Sequence, residues 1–169
     1  DIVSRAGHEY LTEKQLLENG PIAVDCDFRY DYQVTEKQYQ EKHIKSLILL
    51  YLKQLKSILQ FTENEPFPVY IFEKSKVNRI EEKNLTKDGI HMIIGIQADR
   101  TTQVILRERV LNEIKEDWSD LPLTNSWEEV FDKGISEGGT NWQLYGSCKP
   151  NHETYKLTYA FEFEYDNSD

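Results

Sequence analysis

"AVDCDFRY", residues 23–30, places two aspartates one residue apart inside an apolar run. Residues 22–28 alternate with the two-residue period of a β-strand. One face of this strand would carry Ile22, Val24, Cys26 and Phe28, and the other Ala23, Asp25 and Asp27. Because residues i and i+2 of a strand point the same way, we predict that the two carboxylates lie on one side.

Two carboxylates placed close together repel, and one has a raised pKa unless a cation lies between them. A divalent metal is the simplest such cation, and Mg²⁺ prefers carboxylate oxygens, often with substrate phosphates completing its shell. The alternative is an exposed strand face on which both acids are solvated, since Asp-x-Asp is a common pattern. Asp25 and Asp27 are therefore candidate metal ligands that need support from other segments.

The composition limits the function classes. A length of 169 residues suits one domain with a real core, and 38% hydrophobic content favours a folded chain. The formal net charge of −10 excludes nucleic-acid binding by bulk electrostatics. Any such contact has to be local, metal-assisted or supplied by another part of a parent protein. No apolar run approaches the ~20 residues of a membrane span, so we expect no membrane partner.

The cysteines and the N-terminus indicate the context of the domain. Cys26 and Cys148 are the only cysteines, without the Cys or His spacing of a structural zinc site. This usage predicts a reducing, intracellular compartment. The chain opens with "DIVSRAGHEY", which has neither a signal peptide nor an initiator Met. We therefore expect residues 1–169 to form one domain cut from a longer protein.

Capping-box patterns and apolar spacing predict four helical segments. The capping-box pairs are Thr12 with Gln15, Thr35 with Gln38, and Ser126 with Glu129. They predict a short helix ending at Asn19, a long helix over 36–60 and a helical turn that runs to Val130. Residues 102–117 complete the set, with Val104, Leu111 and Ile114 predicted inside.

Four further segments read as strands, at 69–74, 90–97, 141–147 and 155–165. Residues 76–89 are highly charged and are predicted to form a loop. In 155–165 the residues Tyr155, Leu157, Tyr159, Phe161 and Phe163 would share one face. The mixed order of helices and strands, with an antiparallel ending, predicts an α+β fold.

"KDGIH", residues 87–91, supplies two candidate anion ligands. His91 would stand at the head of the strand 90–97, on the face opposite Ile90 and Met92, just after a loop that carries Lys87. A lysine and a histidine that converge at a strand end suit an anionic ligand such as phosphate. The alternative is that His91 is a hydrogen-bonded core residue.

Asp132 and Lys149 are the remaining candidates from the residues themselves. Asp132 falls near the end of the turn opened by Ser126, where an acid mildly opposes the helix dipole, so it is not placed for local stability. Lys149 follows the strand 141–147. A solvated surface acid and an ordinary surface lysine are the alternatives.

Together these segments resemble the archaeo-eukaryotic primase superfamily, in its primase-polymerase branch. This branch includes the primase domains of primase-helicases from nucleocytoplasmic large DNA viruses. Four motifs occur in the family's order over roughly residues 22–150: "VDCDF" for its Asp-x-Asp motif, "KDGIH" for K-x-S-x-H, "FD" at 131–132 for its apolar-Asp motif, and "NWQLYGSCK" at 141–149 for N-x-R-L-Y-x-S-x-K.

The resemblance implies a primase-polymerase core with an RRM-like antiparallel sheet. It implies that Asp25, Asp27 and Asp132 hold two divalent ions, Mg²⁺ or Mn²⁺, and catalyse nucleotidyl transfer. The implied nucleotide contacts are Lys87, His91, Asn141 and Lys149. Gly89 and Gln143 stand at two further contact positions, where the family has Ser and often Arg.

The implied partners are a single-stranded DNA template, nucleoside triphosphates and a helicase domain of the parent chain. The implied location is the cytoplasm, in a viral factory, or the nucleus of the host cell. The implied function is therefore primer synthesis for viral DNA replication.

Two other functions stay open. A primase-fold domain that no longer catalyses could serve as a nucleic-acid-binding or assembly module, which Gly89, Gln143 and the net charge of −10 favour. A metal-dependent nuclease also uses paired acids. The acidic triad argues against the silent module, and the set of Lys87, His91 and Lys149 argues against a nuclease, which needs no triphosphate contacts.

Overall fold

The structure, a computed structural model, describes residues 12–13, 19–58, 66–137, 142–143 and 155–164. Its main feature is a five-stranded antiparallel sheet, with the strand order β2–β5–β3–β7 and with β4 paired to β5. The buried core combines apolar side chains of this sheet with those of two long helices. The α+β prediction is confirmed.

The strands are β1 (Thr12–Glu13), β2 (Asn19–Asp31), β3 (Phe67–Glu73), β4 (Asn78–Ile80), β5 (Leu85–Asp99), β6 (Trp142–Gln143) and β7 (Lys156–Phe163). The helices are α1 (Glu41–Ile58), α2 (Arg100–Asp117), α3 (Trp127–Val130) and α4 (Lys133–Glu137), with a 3₁₀ turn at Glu81–Lys83. No helix in these described ranges is long and apolar enough to cross a membrane.

Strand β2 confirms the predicted faces of residues 22–28. Its apolar set, Ile22, Val24, Cys26 and Phe28, is buried, while Asp25 and Asp27 are partly exposed. Pro21 lies where the β2–β5 register shifts, which suits a residue that has no N–H to donate. The buried Cys26 is a free thiol; Cys148 lies outside the described residues.

The predicted helix over 36–60 is corrected at its start, because α1 begins at Glu41. The His43 ring accepts a hydrogen bond from the Gln40 N–H at 2.8 Å and so fixes the first turn there. Lys37 instead reaches the buried Asp88, and Tyr39 packs into the core. Tertiary contacts of these two residues therefore override the pattern of Thr35 and Gln38.

The predicted N-terminal helix is wrong wherever the structure describes it. Thr12–Glu13 is a short strand paired with Trp142–Gln143, and Asn19 begins β2. Residues 14–18 lie outside the described part of the chain. Strand pairing across a long sequence separation has overridden the local capping signal here.

The loop predicted over 76–89 is also wrong. It contains β4, the 3₁₀ turn and the first five residues of β5. Asn84 closes the connection in the left-handed conformation, with φ 51°, which asparagine tolerates better than most residues. Most charged side chains of this segment are exposed, with the exception of the buried Asp88, so its high charge does not reflect a lack of structure.

The helical predictions near the site are confirmed with one correction. Leu111 and Ile114 are buried as predicted, whereas Val104 is only partly buried. Asp99 caps α2 by accepting from the Thr102 N–H at 2.7 Å, so this helix starts two residues before the predicted 102. Ser126 and Glu129 form both hydrogen bonds of a capping box, and α3 ends at Val130 as predicted. Helix α4, which follows Asp132, was not predicted.

Strand β7 confirms the prediction over 155–165 with one exception. Tyr159, Phe161 and Phe163 are partly buried, whereas Leu157 is 44% exposed. A register shift between Ile71 and Phe72 of β3 occurs at this point and takes Leu157 out of the apolar row. Of the predicted strand 141–147, the structure describes only β6.

Candidate active site

The site is built from three cross-strand pairs on β2 and β5. Asp25 lies opposite His91, Asp27 opposite Gly89, and Arg29 opposite Lys87. Since strand residues alternate between faces, all six share the face that points away from Cys26, Phe28 and the core. His91 is on the predicted face, but it lies in the middle of β5 rather than at its head, and Lys87 is on the strand rather than in a loop.

His91 is anchored on two sides. Its Nε2 lies 3.2 Å from Oδ1 of Asp25, and its ring stacks on Tyr155 with a centroid distance of 3.7 Å and an angle of 14°. The His91 side chain is only 8% exposed, against 26% for Asp25. The ring orientation is therefore fixed by Asp25 and Tyr155 together, and little of the ring is open to a ligand.

Asp27 is bound by two cations. Lys87 Nζ lies 3.7 Å from its Oδ1, and Arg29 Nη2 lies 3.4 Å from its Oδ2. Burial raises the pKa of Asp27, which Lys87 and Arg29 oppose and the charge of Asp25 reinforces. Asp27 thus combines a partly desolvated carboxylate with two positive charges from the same face of the sheet.

Asp132 reaches the site because residues 124–132 run along the outer edge of β2. The Thr124 N–H donates to the Arg29 carbonyl at 2.8 Å, and the Asn125 side-chain amide donates to the Asp27 carbonyl at 2.9 Å. At the far end, the Asp132 N–H donates to the Asp25 carbonyl at 3.0 Å. This segment completes the backbone hydrogen bonds of an edge strand and sets Asp132 beside Asp25.

The charge of Asp132 is influenced by its neighbours. Burial raises the pKa of this carboxyl, and the nearby charge of Asp25 raises it further. Its Oδ1 accepts a hydrogen bond from the Gly134 N–H at 3.1 Å, which stabilises the ionised form. The mutual repulsion of Asp25 and Asp132 is the electrostatic situation that a cation would relieve.

Arg107 of α2 holds the segment that carries Asp132. Its side chain is 2% exposed, and its Nε and Nη2 donate to the Phe131 carbonyl at 3.1 and 2.8 Å. Its Nη2 also donates to the Glu128 carbonyl at 3.0 Å. Arg107 was not among the residues predicted from the sequence. Its spacing is that of a buried helix face, which consists of Gln103, Arg107, Leu111 and Ile114. That spacing was the available signal.

Gly89 has a steric reason to be glycine. A Cβ at this position would lie 2.9 Å from the Cys26 carbonyl oxygen and would collide with the Tyr155 hydroxyl. Real Cβ atoms do not approach backbone oxygen so closely, and Tyr155 is already held against His91. Glycine instead of serine at residue 89 therefore leaves room for Tyr155, which occupies the space that a Cβ would need.

The acidic residues fit a divalent metal in donor type. Carboxylate oxygens are the ligands that Mg²⁺ and Mn²⁺ prefer. Asp25 lies close enough to Asp27 and Asp132 to raise the pKa of each. Among the residues described, however, no group of three or more His, Cys, Asp or Glu side chains is arranged to hold a metal. Asp27 would have to turn away from its two cations to join such a group.

The structure brings together six of the predicted site residues: Asp25, Asp27, Lys87, Gly89, His91 and Asp132. Asn141 and Lys149 lie outside the described residues. Gln143 is described only in its backbone, which pairs with Thr12 in the two-stranded sheet of β1 and β6. The predicted nucleotide contacts at these three positions stay predictions.

Two comparisons with known proteins show which family this chain resembles. The model of the family described as "C962R protein N-terminal AEP domain" matches residues 1–161. A protein of Acanthamoeba polyphaga mimivirus named "Putative helicase L207/L206" is 33% identical over 149 residues. The match covers 85% of this chain but 15% of that protein, so the chain spans a small part of the length of the relative.

Proposed function

The chain belongs to the archaeo-eukaryotic primase family of C962R N-terminal domains, and on this premise we propose that it is the nucleotidyl-transferring domain of a primase-helicase. It would add nucleotides to a growing strand on a single-stranded DNA template. The observation that carries the proposal is the set of cross-strand pairs, in which carboxylates, a histidine and two cations share one face of β2 and β5. The name of the mimivirus relative supports a helicase elsewhere in the parent chain.

The proposed reaction joins a 3′-hydroxyl to the α-phosphate of a nucleotide and releases pyrophosphate. Asp25, Asp27 and Asp132 would hold the divalent ions, which when bound activate the attacking oxygen and neutralise the leaving charge. Lys87 would bind the phosphates by charge-assisted hydrogen bonds. His91, fixed by Asp25 and Tyr155, would add a contact from the edge of its ring.

The contacts around Asp132 serve this role by positioning. Its backbone is bound to Asp25 at 3.0 Å, and the preceding carbonyl, that of Phe131, is held by Arg107. The Asp132 backbone is therefore fixed beside Asp25, and the Gly134 N–H restrains its carboxylate. Such preorganised placement is what in-line phosphoryl chemistry needs from the protein.

A second candidate is a primase-fold module that binds nucleic acid or a partner without catalysis. Two observations favour it: Tyr155 fills the space next to Gly89, and Asp27 is engaged by Arg29 and Lys87. Both features reduce the room for a nucleotide and its metal. Only an activity measurement separates the two candidates.

The test is primer synthesis on a single-stranded DNA template, with ribonucleotides or deoxyribonucleotides and with Mg²⁺ or Mn²⁺. The 169-residue chain is expected to make product, and Asp25→Asn and Asp27→Asn are expected to abolish it. Asp31→Asn is the matched control, because Asp31 is exposed on the same strand and should leave synthesis intact.

Three results would count against the proposal. No product under any condition, with a folded chain that still binds DNA, would favour the silent module. Metal-dependent shortening of the template would favour a nuclease. Near-normal synthesis by either Asp variant would show that the metal assignment is wrong.

A further inference from the structure

We propose that Arg29 binds the outer phosphates of the nucleotide together with Lys87, so that the two residues form a paired phosphate site. The inference rests on the proposed function and identifies the contacts that recognise a triphosphate. Arg29 lies on the same face as Asp25, Asp27 and His91, directly opposite Lys87 on the neighbouring strand. Neither its sequence context nor the family comparison gives Arg29 a role.

Arg29 and Lys87 share one anion, the carboxylate of Asp27. Arg29 and Lys87 bind different oxygens of Asp27, at 3.4 and 3.7 Å, so their charges converge on one point. Their side chains are 38% and 32% exposed, which leaves both open to a ligand from solvent. A carboxylate held by two converging cations marks a place where another oxyanion would also be held.

The guanidinium of Arg29 is already oriented by Glu129. Its Nη1 is 3.2 Å from Oε2 of Glu129, and Glu129 is itself fixed by the capping box with Ser126. The Arg29 backbone is bound through both its carbonyl, by Thr124, and its N–H, by Asn125. The guanidinium therefore loses little freedom on binding, and its fork matches phosphate geometry.

Arg29 and Lys87 would exchange the Asp27 carboxylate for a phosphate group. Asp27 is one of the carboxylates that would hold a divalent metal, and it would have to turn away from Arg29 and Lys87 to do so. Arg29 and Lys87 would then be available to bind a phosphate group at the same place. The alternative is that Arg29 only ties α3 to β2 through Glu129.

The first experiment titrates the 169-residue chain with non-hydrolysable nucleoside triphosphate and with nucleoside monophosphate in Mg²⁺. Arg29→Gln should weaken triphosphate binding roughly tenfold to a hundredfold, the loss of one charge-assisted contact. Monophosphate binding should change little, and Arg29→Lys should fall between wild type and Arg29→Gln. Arg109→Gln is the control, since Arg109 is an exposed arginine of α2 that contacts Ser57.

The second experiment needs no metal and uses inorganic tripolyphosphate as the probe. Asp27→Asn removes the competing carboxylate, so this variant should bind tripolyphosphate several-fold more tightly than wild type. Adding Arg29→Gln to Asp27→Asn should remove that gain. Both readouts are binding constants, and a thermal melt of each variant shows whether it is folded.

The outcomes separate this inference from the proposed function. Wild-type triphosphate affinity in Arg29→Gln would overturn the inference and leave the function standing. Equal weakening of monophosphate and triphosphate would also overturn it, because Arg29 would then act only by holding β2. A wild-type chain that binds no nucleotide with metal would overturn the proposed function and this inference together. If Arg29→Gln fails to fold, Arg29→Lys and the tripolyphosphate affinity of Asp27→Asn decide.

Discussion

The guanidinium of Arg107 holds the carbonyl of Phe131 with two hydrogen bonds, at 3.1 and 2.8 Å, one residue before Asp132. Arg107 is buried, and its Nη1 and Nη2 also contact the carboxylates of Glu108 and Glu128. Removing the buried guanidinium is costly, because the carbonyls and carboxylates that it binds are then left without a donor.

Arg107→Met should therefore destabilise the chain by about 2–4 kcal/mol. For a chain of this size each kcal/mol lowers Tm by about 2–4 °C, so a thermal melt will detect the change. Arg109→Met, two residues along on the exposed side of α2, should change Tm very little. Equal melting of both variants would show that Arg107 does not hold the Asp132 segment.

His91→Phe should raise the nucleotide KM several-fold while keeping most of the thermal stability. Phenylalanine can still stack on Tyr155, but it cannot bond Asp25 or a phosphate. The expected effect corresponds to the loss of one ordinary hydrogen bond, about 1 kcal/mol, read from steady-state kinetics. His91→Ala, which also loses the stack, should melt lower than His91→Phe. An unchanged KM with a large fall in Tm would make His91 a core residue and not a ligand.

Gly89→Ala should destabilise the chain by about 1–3 kcal/mol through overpacking. Part of that loss should disappear in the background of Tyr155→Ala, since one of the two colliding groups is the Tyr155 hydroxyl. The part caused by the Cys26 carbonyl should persist in both backgrounds. Gly20→Ala is the control, because its new Cβ would meet only the guanidinium of Arg100, the far end of a flexible side chain. Simple additivity of the Gly89 and Tyr155 changes would argue against this contact.

Lys37→Met should destabilise the chain most at neutral pH. Lys37 Nζ lies 2.9 Å from both oxygens of Asp88, whose side chain is fully buried. Burial raises the pKa of Asp88 and Lys37 opposes that rise, so removing Lys37 raises the pKa further. We expect a loss of about 2–4 kcal/mol at pH 7, somewhat less than for a fully buried pair because Lys37 is partly exposed.

The sign of the pH dependence follows from linkage. A carboxyl with a raised pKa in the folded state binds its proton more tightly there, so the free energy of unfolding falls as the pH rises through that interval. The variant has the higher pKa, and its deficit should shrink as the pH falls, because protonation of Asp88 removes the unpaired buried charge. Denaturant melts from pH 4 to 7 measure this. Lys45→Met, which breaks an exposed pair with Glu41, should show only a small effect at every pH. A constant deficit for Lys37→Met would contradict the ion-pair explanation.

The features that the sequence predicted well are those with a local cause. The alternation of Ile22, Val24, Cys26 and Phe28 decided which face of β2 would carry Asp25 and Asp27. The capping box of Ser126 and Glu129 formed as expected because both partners lie within one turn. These patterns involve only neighbouring residues, so no distant contact was needed to establish them.

The features that were missed depend on distant partners. Lys37 pairs with Asp88, 51 residues away, and the preceding pattern at Thr35 yields to that contact. The spacing of Arg107 could indicate that it is buried, but its partners, the carbonyls of residues 128 and 131, lie more than twenty residues further along the chain. The hairpin at 78–85 was hidden by its charge, since polar strands outside the core lack an apolar alternation.

The register of β2 against β5 decides both which side chains form the site and which side chains enter the core. Inserting or deleting one residue in either strand would move every side chain beyond it to the opposite face. Asp25 and Asp27 would then enter the interior, and Cys26 and Phe28 would leave it. In a library of single-residue insertions and deletions, those within residues 22–31 and those within 85–94 should both unfold the chain, because these two segments pair with each other. Substitutions at Asp25, in contrast, should abolish activity and leave the fold intact. Loss of activity in relatives should arise by substitution and leave the length of these strands unchanged.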